Sequence, residues 1–245
     1  PHHHTAMNTR HLSALLLSAA CAPLAVLAQT ETTAPPNLPN EERSLEAYTS
    51  RQSLSDGYGR WHETGLRGNF AAGNFDVAVF YNKYRDFIDE DNVVVGATVE
   101  QFQAVNIKRA TIKGAEVKGR LNLDAFGAPQ GLYTQGSIAY AYGRNNDNGE
   151  PLNSVNPLTG VFGLGYDQDN YGGLLSWTVV KKKDRVDDSN FKSPDGVSSQ
   201  FKTPGFGILD LAGYYKVTDD VTVSGGIYNL TDKKYWLWDD VRGYD

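Results

Sequence analysis

From Trp61 onward, apolar side chains recur at every second position, and the pattern returns in eight separate runs. Successive side chains of a strand point to opposite faces, so a chain with this period folds as strands that each carry one apolar face. Thr64, Leu66, Gly68 and Phe70 alternate with Glu63, Gly65, Arg67 and Asn69, and after a tight turn Phe75, Val77, Val79 and Tyr81 alternate with Asp76, Ala78, Phe80 and Asn82. In the third run, 107–123, Ala115, Val117, Gly119 and Leu121 oppose Glu116, Lys118 and Arg120. The remaining runs are 132–140, 158–166, 171–179, 209–215 and 221–227. The expectation is an all-β protein of about eight antiparallel strands.

Alternation alone also suits a soluble sandwich, whose apolar faces meet in a core. Three features favour a membrane β-barrel. The runs approach or exceed roughly ten residues, as a tilted spanning strand requires. Full charges (Glu116, Lys118, Arg120) lie in mid-strand on the polar face, as a wet lumen would tolerate. Short turns at 71–74, 168–170 and 218–220 alternate with long polar loops at 87–106, 144–156 and 181–206, the pattern of outer-membrane barrels. The 25 glycines and 14 tyrosines fit turns and interfacial rings, and a net charge of −6 argues against nucleic acid as a partner.

Upstream of these runs, residues 1–6, with His2, His3 and His4, read as a tag remnant. Residues 7–28 read as a signal peptide: Arg10 and His11 precede an apolar core at 12–27, and Val26-Leu27-Ala28 offers small-residue cleavage before Gln29. The one cysteine, Cys21, lies inside this leader, so the remainder is expected to hold neither disulfide nor thiolate metal site. Residues 29–59 read as a linker, with a polar, aperiodic part at 44–59 that suits a short helix, and 60–245 as the barrel portion. The run at 226–243 reads as a strand end entering an aromatic, charged loop, whose rings suit a membrane-water boundary.

Several phrases resemble the barrel of TonB-dependent outer-membrane receptors. Tyr84-Arg85-Asp86-Phe87-Ile88 closes a strand as it does in that family, Lys113-Gly114-Ala115-Glu116-Val117 is similar to the next strand, and Asn229-Leu230-Thr231-Asp232-Lys233-Lys234-Tyr235 resembles the phrase before the last strand. The continuation from Tyr235 through Trp236, Leu237 and Trp238 to Gly243 looks like the haem and haemoglobin receptor branch. The family carries an N-terminal plug domain and a much wider barrel; residues 29–59 leave no room for a plug, and Tyr244-Asp245 falls before a terminal strand. The likeness therefore implies a leader joined to a C-terminal barrel fragment, an open curved sheet or partial barrel, whose many glycines are expected to leave register loosely fixed.

The resemblance implies an outer-membrane receptor or transporter fragment for haem or haem-protein iron uptake, not an enzyme. Alternatives are a ferric-siderophore receptor fragment and a small closed barrel acting as adhesin, structural protein or passive pore. Implied partners are outer-membrane lipid, haem or a haem protein, and a TonB-type energy transducer for the full-length parent; haem is cargo, with no intrinsic cofactor. Outside tag and leader the one histidine is His62, so neither a catalytic triad nor a multi-His metal site is expected. His62 reads as a strand-boundary residue, Tyr235 as an interfacial ring, and Asp184, Asp187, Asp188 and Asp195 as a solvated loop without calcium-loop spacing. Asn229-Leu230-Thr231 matches a glycosylation sequon by coincidence. No ligand-binding residue is assigned: in the family resemblance, haem ligands come from the plug and one outer loop, and neither is matched.

Overall fold

The computed structural model describes residues 44–53, 59–93, 102–188 and 201–241. Nine strands form one sheet: β1 (Ser44–Ser53), β2 (Gly59–Phe70), β3 (Gly73–Val93), β4 (Phe102–Asn122), β5 (Leu132–Asn145), β6 (Thr159–Asp167), β7 (Tyr171–Val180), β8 (Phe206–Thr218) and β9 (Val221–Ile227). Each pairs antiparallel with its sequence neighbours, in the order β1 to β9, so among the described residues the sheet stays open. A short helix α1 (Trp238–Val241) follows.

Register joins the expected apolar faces into one continuous surface. Leu66 faces Val77, Val77 faces Val117, and Val117 faces Ile138. A second row runs from Thr134 through Leu164, Leu175 and Leu211 to Ile227. These side chains are bare: Val117 is 45% exposed, Leu164 50% and Ile227 60%. In a sandwich the same face would be the buried core. An apolar surface that spans nine strands and stays bare among the described residues fits the outer wall of a barrel.

The opposite face is polar and cross-linked. Arg67, Asp76, Lys118 and Ser137 lie in one register row. The Arg67 guanidinium donates to the Asp76 carboxylate at 2.8 Å, the Tyr48 hydroxyl donates to it at 3.0 Å, and the Lys118 ammonium stands 3.9 Å away. Nearer the short turns, Arg120 approaches Asp167 at 3.6 Å and lies over the Tyr133 ring at 3.5 Å.

Glycines in this sheet do not loosen register as expected. Tyr48 stands opposite Gly65, Phe75 opposite Gly68, Phe80 opposite Gly114, Tyr133 opposite Gly165 and Tyr214 opposite Gly172. In each pair the ring lies where a Cβ on the glycine would stand. Bare backbone gives a large ring a place to lie flat across the ladder, so each pair marks one register.

Two other expectations change. Ser44–Ser53 is a strand, not a short helix, which makes nine strands instead of eight. Its outward residues are Leu45, Ala47 and Thr49, too weakly apolar to display the period, and its order comes from the ladder with β2. The loop expected over 87–106 is mostly ladder: Phe87 pairs Ile107 and Val93 pairs Phe102, with a register irregularity between Asp89 and Asn92. Backbone pairing continues there without the apolar alternation that made the rest legible. The short turns stand as expected, while the tag, leader and most of the linker stretch lie outside the described residues.

Candidate functional site

The sheet has a short-turn end and a long-loop end, and at the long-loop end three chain segments are fastened together. The first, joining β5 to β6, folds onto the polar side of the sheet. Leu152 (1% exposed) and Val155 pack with Ala110 and Ile112 of β4, against Phe80, Tyr84 and Phe87 of β3. Arg109 and Asp147 close its flank with an ion pair at 3.1 Å.

Asn153, buried in this lobe, holds the second segment, which follows β7. Its amide donates to the Asp187 carbonyl at 2.9 Å and accepts from the Asp187 N–H at 2.7 Å. The Lys183 ammonium donates to the Val155 carbonyl. The third segment follows β9. Trp238 donates its indole N–H to the Asn153 carbonyl at 2.6 Å, and its ring packs with Val186 and Val241 while Lys183 sits 4.8 Å from the ring centre. Asn156 donates to Asp239 at 2.9 Å. Each loop thus supplies the partner that a buried polar group of another loop requires.

The entry to the third segment explains its sequence phrase. The Asn229 N–H donates to the Asp210 carboxylate of β8 at 2.7 Å, and the Asn229 side chain both donates to the Lys233 carbonyl (3.0 Å) and accepts from the Lys233 N–H (2.9 Å). Asn229 and Asp232 take φ of +53° and +48°, a conformation tolerated by Asn and Asp. The phrase is a self-closing turn that aims the following aromatics back over the loops. Asn229→Ala, which loses both the bonds and the tolerance for positive φ, is expected to cost about 2–3 kcal/mol, and Asn229→Gly about 1 kcal/mol less. Urea unfolding from phospholipid vesicles reads the difference; equal losses would mean that the conformation carries no strain.

Not every ring of this stretch sits at a boundary as expected. Trp238 is 3% exposed and serves as the pin of the loop cluster, whereas Trp236 is 57% exposed. Trp236 meets Phe201 edge-on at 6.1 Å, and Tyr235 stacks on Phe206 at 4.5 Å. His62 lies on the apolar face, opposite Tyr81 and exposed. Asp184 pairs with Lys182 at 3.0 Å, Asp187 belongs to the clasp through its backbone, and Asp195 lies outside the described residues. Asn229 of the sequon spends its amide on Lys233. Among the described residues, no group of three His, Cys, Asp or Glu side chains could hold a metal ion. Sequence reasoning missed Asn153 and Lys183, because a lone Asn or Lys in a polar loop carries no periodic signal.

Residues 22–230 match the profile of the TonB dependent receptor-like β-barrel family. The chain is 34% identical over 211 residues to hemoglobin-haptoglobin utilization protein B of Neisseria meningitidis, covering 74% of this chain and 25% of that protein. It is 34% identical over 189 residues to the probable hemoglobin and hemoglobin-haptoglobin-binding protein 4 of Haemophilus influenzae, covering 69% of this chain and 19% of that one. Among solved structures, the copper transporter OprC aligns with a TM-score of 0.61 at 29% identity, over 73% of this chain and 26% of that one. The FrpB iron transporter from Neisseria meningitidis aligns with a TM-score of 0.54 at 17% identity, over 80% and 32%, a likeness of fold. The chain spans about a quarter or less of the length of these curated relatives.

Proposed function

Because the chain belongs to the TonB-dependent receptor β-barrel family, we propose that it forms part of the wall and outer loops of an outer-membrane receptor that takes haem from haemoglobin or its haptoglobin complex. The family is one of transporters, not enzymes. The observation that carries the reading is one-third identity, across most of the chain, to relatives named for haemoglobin and haemoglobin–haptoglobin. The arrangement of the sheet supports it: an apolar band faces lipid, a charged wall faces the lumen, and the fastened loops stand at the long-loop end, which is the cell-surface end in such barrels. Uptake itself would draw on a plug and on a TonB-type energy transducer acting on the complete receptor.

The test is flotation of the chain in phospholipid vesicles with haemoglobin, with haemoglobin–haptoglobin or with a ferric siderophore. The haem proteins are expected to float with the vesicles, and the siderophore to stay in solution. Retention of the siderophore alone would replace this reading by the siderophore one, and retention of neither would move ligand capture away from these loops.

A further inference from the structure

The apolar face of the sheet is not even. Near the short turns, Gly119 of β4 stands directly opposite Gly136 of β5, so two neighbouring strands present bare backbone. Phe75 flanks this floor on β3, where it stacks with Phe70 at 5.8 Å and 20°. On the other side Phe162 of β6, opposite Gly136, leans over it: a Cβ placed on Gly136 would lie 3.2 Å from the Phe162 ring. Leu121 closes one end, and the resulting notch holds about 450 Å³.

The intervening Asn74, Arg120 and Gln135 alternate to the polar face, so the notch receives their backbone and not their charge or amide. The outward Thr134 hydroxyl beside the notch is spent on the Gly163 carbonyl at 2.9 Å, so an occupant must be apolar. Its floor is two strands wide, roughly 5–10 Å at the usual strand spacing. A helix with its side chains, about 10–12 Å across, would ride on the aromatic rims. An extended hydrocarbon chain lies flat in such a slot, and the slot is continuous with the apolar band that faces lipid.

We propose that this notch is a binding site for one acyl chain of a phospholipid, held against glycine backbone between Phe75 and Phe162. The inference rests on the membrane-barrel reading above. A chain in this slot contacts protein on its underside and flanks, whereas a chain lying on the rest of the band touches only the tops of side chains, so the notch lipid exchanges more slowly than its neighbours.

The test is native mass spectrometry of the full chain after transfer from phosphatidylethanolamine vesicles into detergent. The unaltered chain is expected to keep one phospholipid. Leu121→Trp, which fills the slot from its end, and Gly136→Ala, which sets a methyl on its floor 3.2 Å from the Phe162 ring, displace about two methylene groups of contact and lower retention roughly tenfold. Leu211→Trp, on the same face but away on β8, leaves retention unchanged. Equal retention in all four proteins, no retained lipid in any, or a pair of chains sharing one notch would each overturn the proposal while leaving the barrel reading intact. Failure of the unaltered chain to float with the vesicles would overturn both.

Discussion

Replacing Trp238 with alanine is expected to unfasten the long-loop end while leaving the sheet in place. The ring is 3% exposed, packs with Val186 and Val241, and donates its N–H to the carbonyl of Asn153, itself buried and bonded to Asp187. Truncating a buried tryptophan costs about 3–5 kcal/mol, because contact is lost and a cavity is left. That loss falls on the clasp, since α1 makes no part of the strand ladder, so opening of the loops should rise about a hundredfold or more. Hydrogen exchange would show it as faster exchange at Val155, Lys183 and Asp187, with the amides of β5 to β8 unchanged. Trp238→Phe keeps most of the packing but loses the indole donor, leaving the Asn153 carbonyl with a smaller deficit of about 1 kcal/mol. Equal exchange in all three proteins would mean that the loops are held by something else. If the loops capture a haem protein, its retention should fall in the same order as their protection.

The second large effect is expected at Gly165. The Tyr133 ring lies where a side chain at 165 would begin, so Gly165→Val forces the ring off its seat, away from its contact with Arg120. Overpacking of this kind costs about 1–3 kcal/mol, read as a lower urea midpoint for unfolding from vesicles. The diagnostic is the double variant. Tyr133→Ala empties the space that valine needs, so Gly165→Val combined with Tyr133→Ala should cost less than the two single losses added together, a non-additivity expected of residues in contact. Strict additivity would show that ring and glycine do not share a seat.

Much of this architecture was legible because one physical signal, period two, governs every residue of a spanning strand. From Leu66 to Ile227 the outward positions were readable one by one, and register placed them all on a single surface. Where the signal weakens, the reading fails for a matching reason. Ser44–Ser53 has only Leu45 as a strongly apolar outward residue, beside Ala47 and Thr49, and only the partner strand reveals it. The far halves of β3 and β4 continue the ladder over a stretch of sequence without apolar alternation, so a period-two reading passes over them. Glycine content suggested slack; the rings that remove the slack sit on neighbouring strands, and pairing across strands is invisible to a linear reading. The clasp was hardest of all. Asn153, Lys183 and Trp238 are separated by dozens of residues and meet only because β6 to β9 bring their loops to the same end.

The sheet order carries one more consequence. Every strand pairs with the strands just before and after it in the chain, so each new hairpin docks on an edge already in place and no segment must wait for a distant partner. Connections between chain neighbours close at modest entropic cost, because that cost grows only slowly with loop length, and their contacts form early. Growth of this kind leaves the number of open edges fixed at two, however many strands have been added. The penalty for unpaired backbone in lipid is therefore neither raised nor relieved as a wall of this kind lengthens; closure of the first edge on the last is the one event that discharges it. Assembly of such a wall is gradual in extent and abrupt in completion.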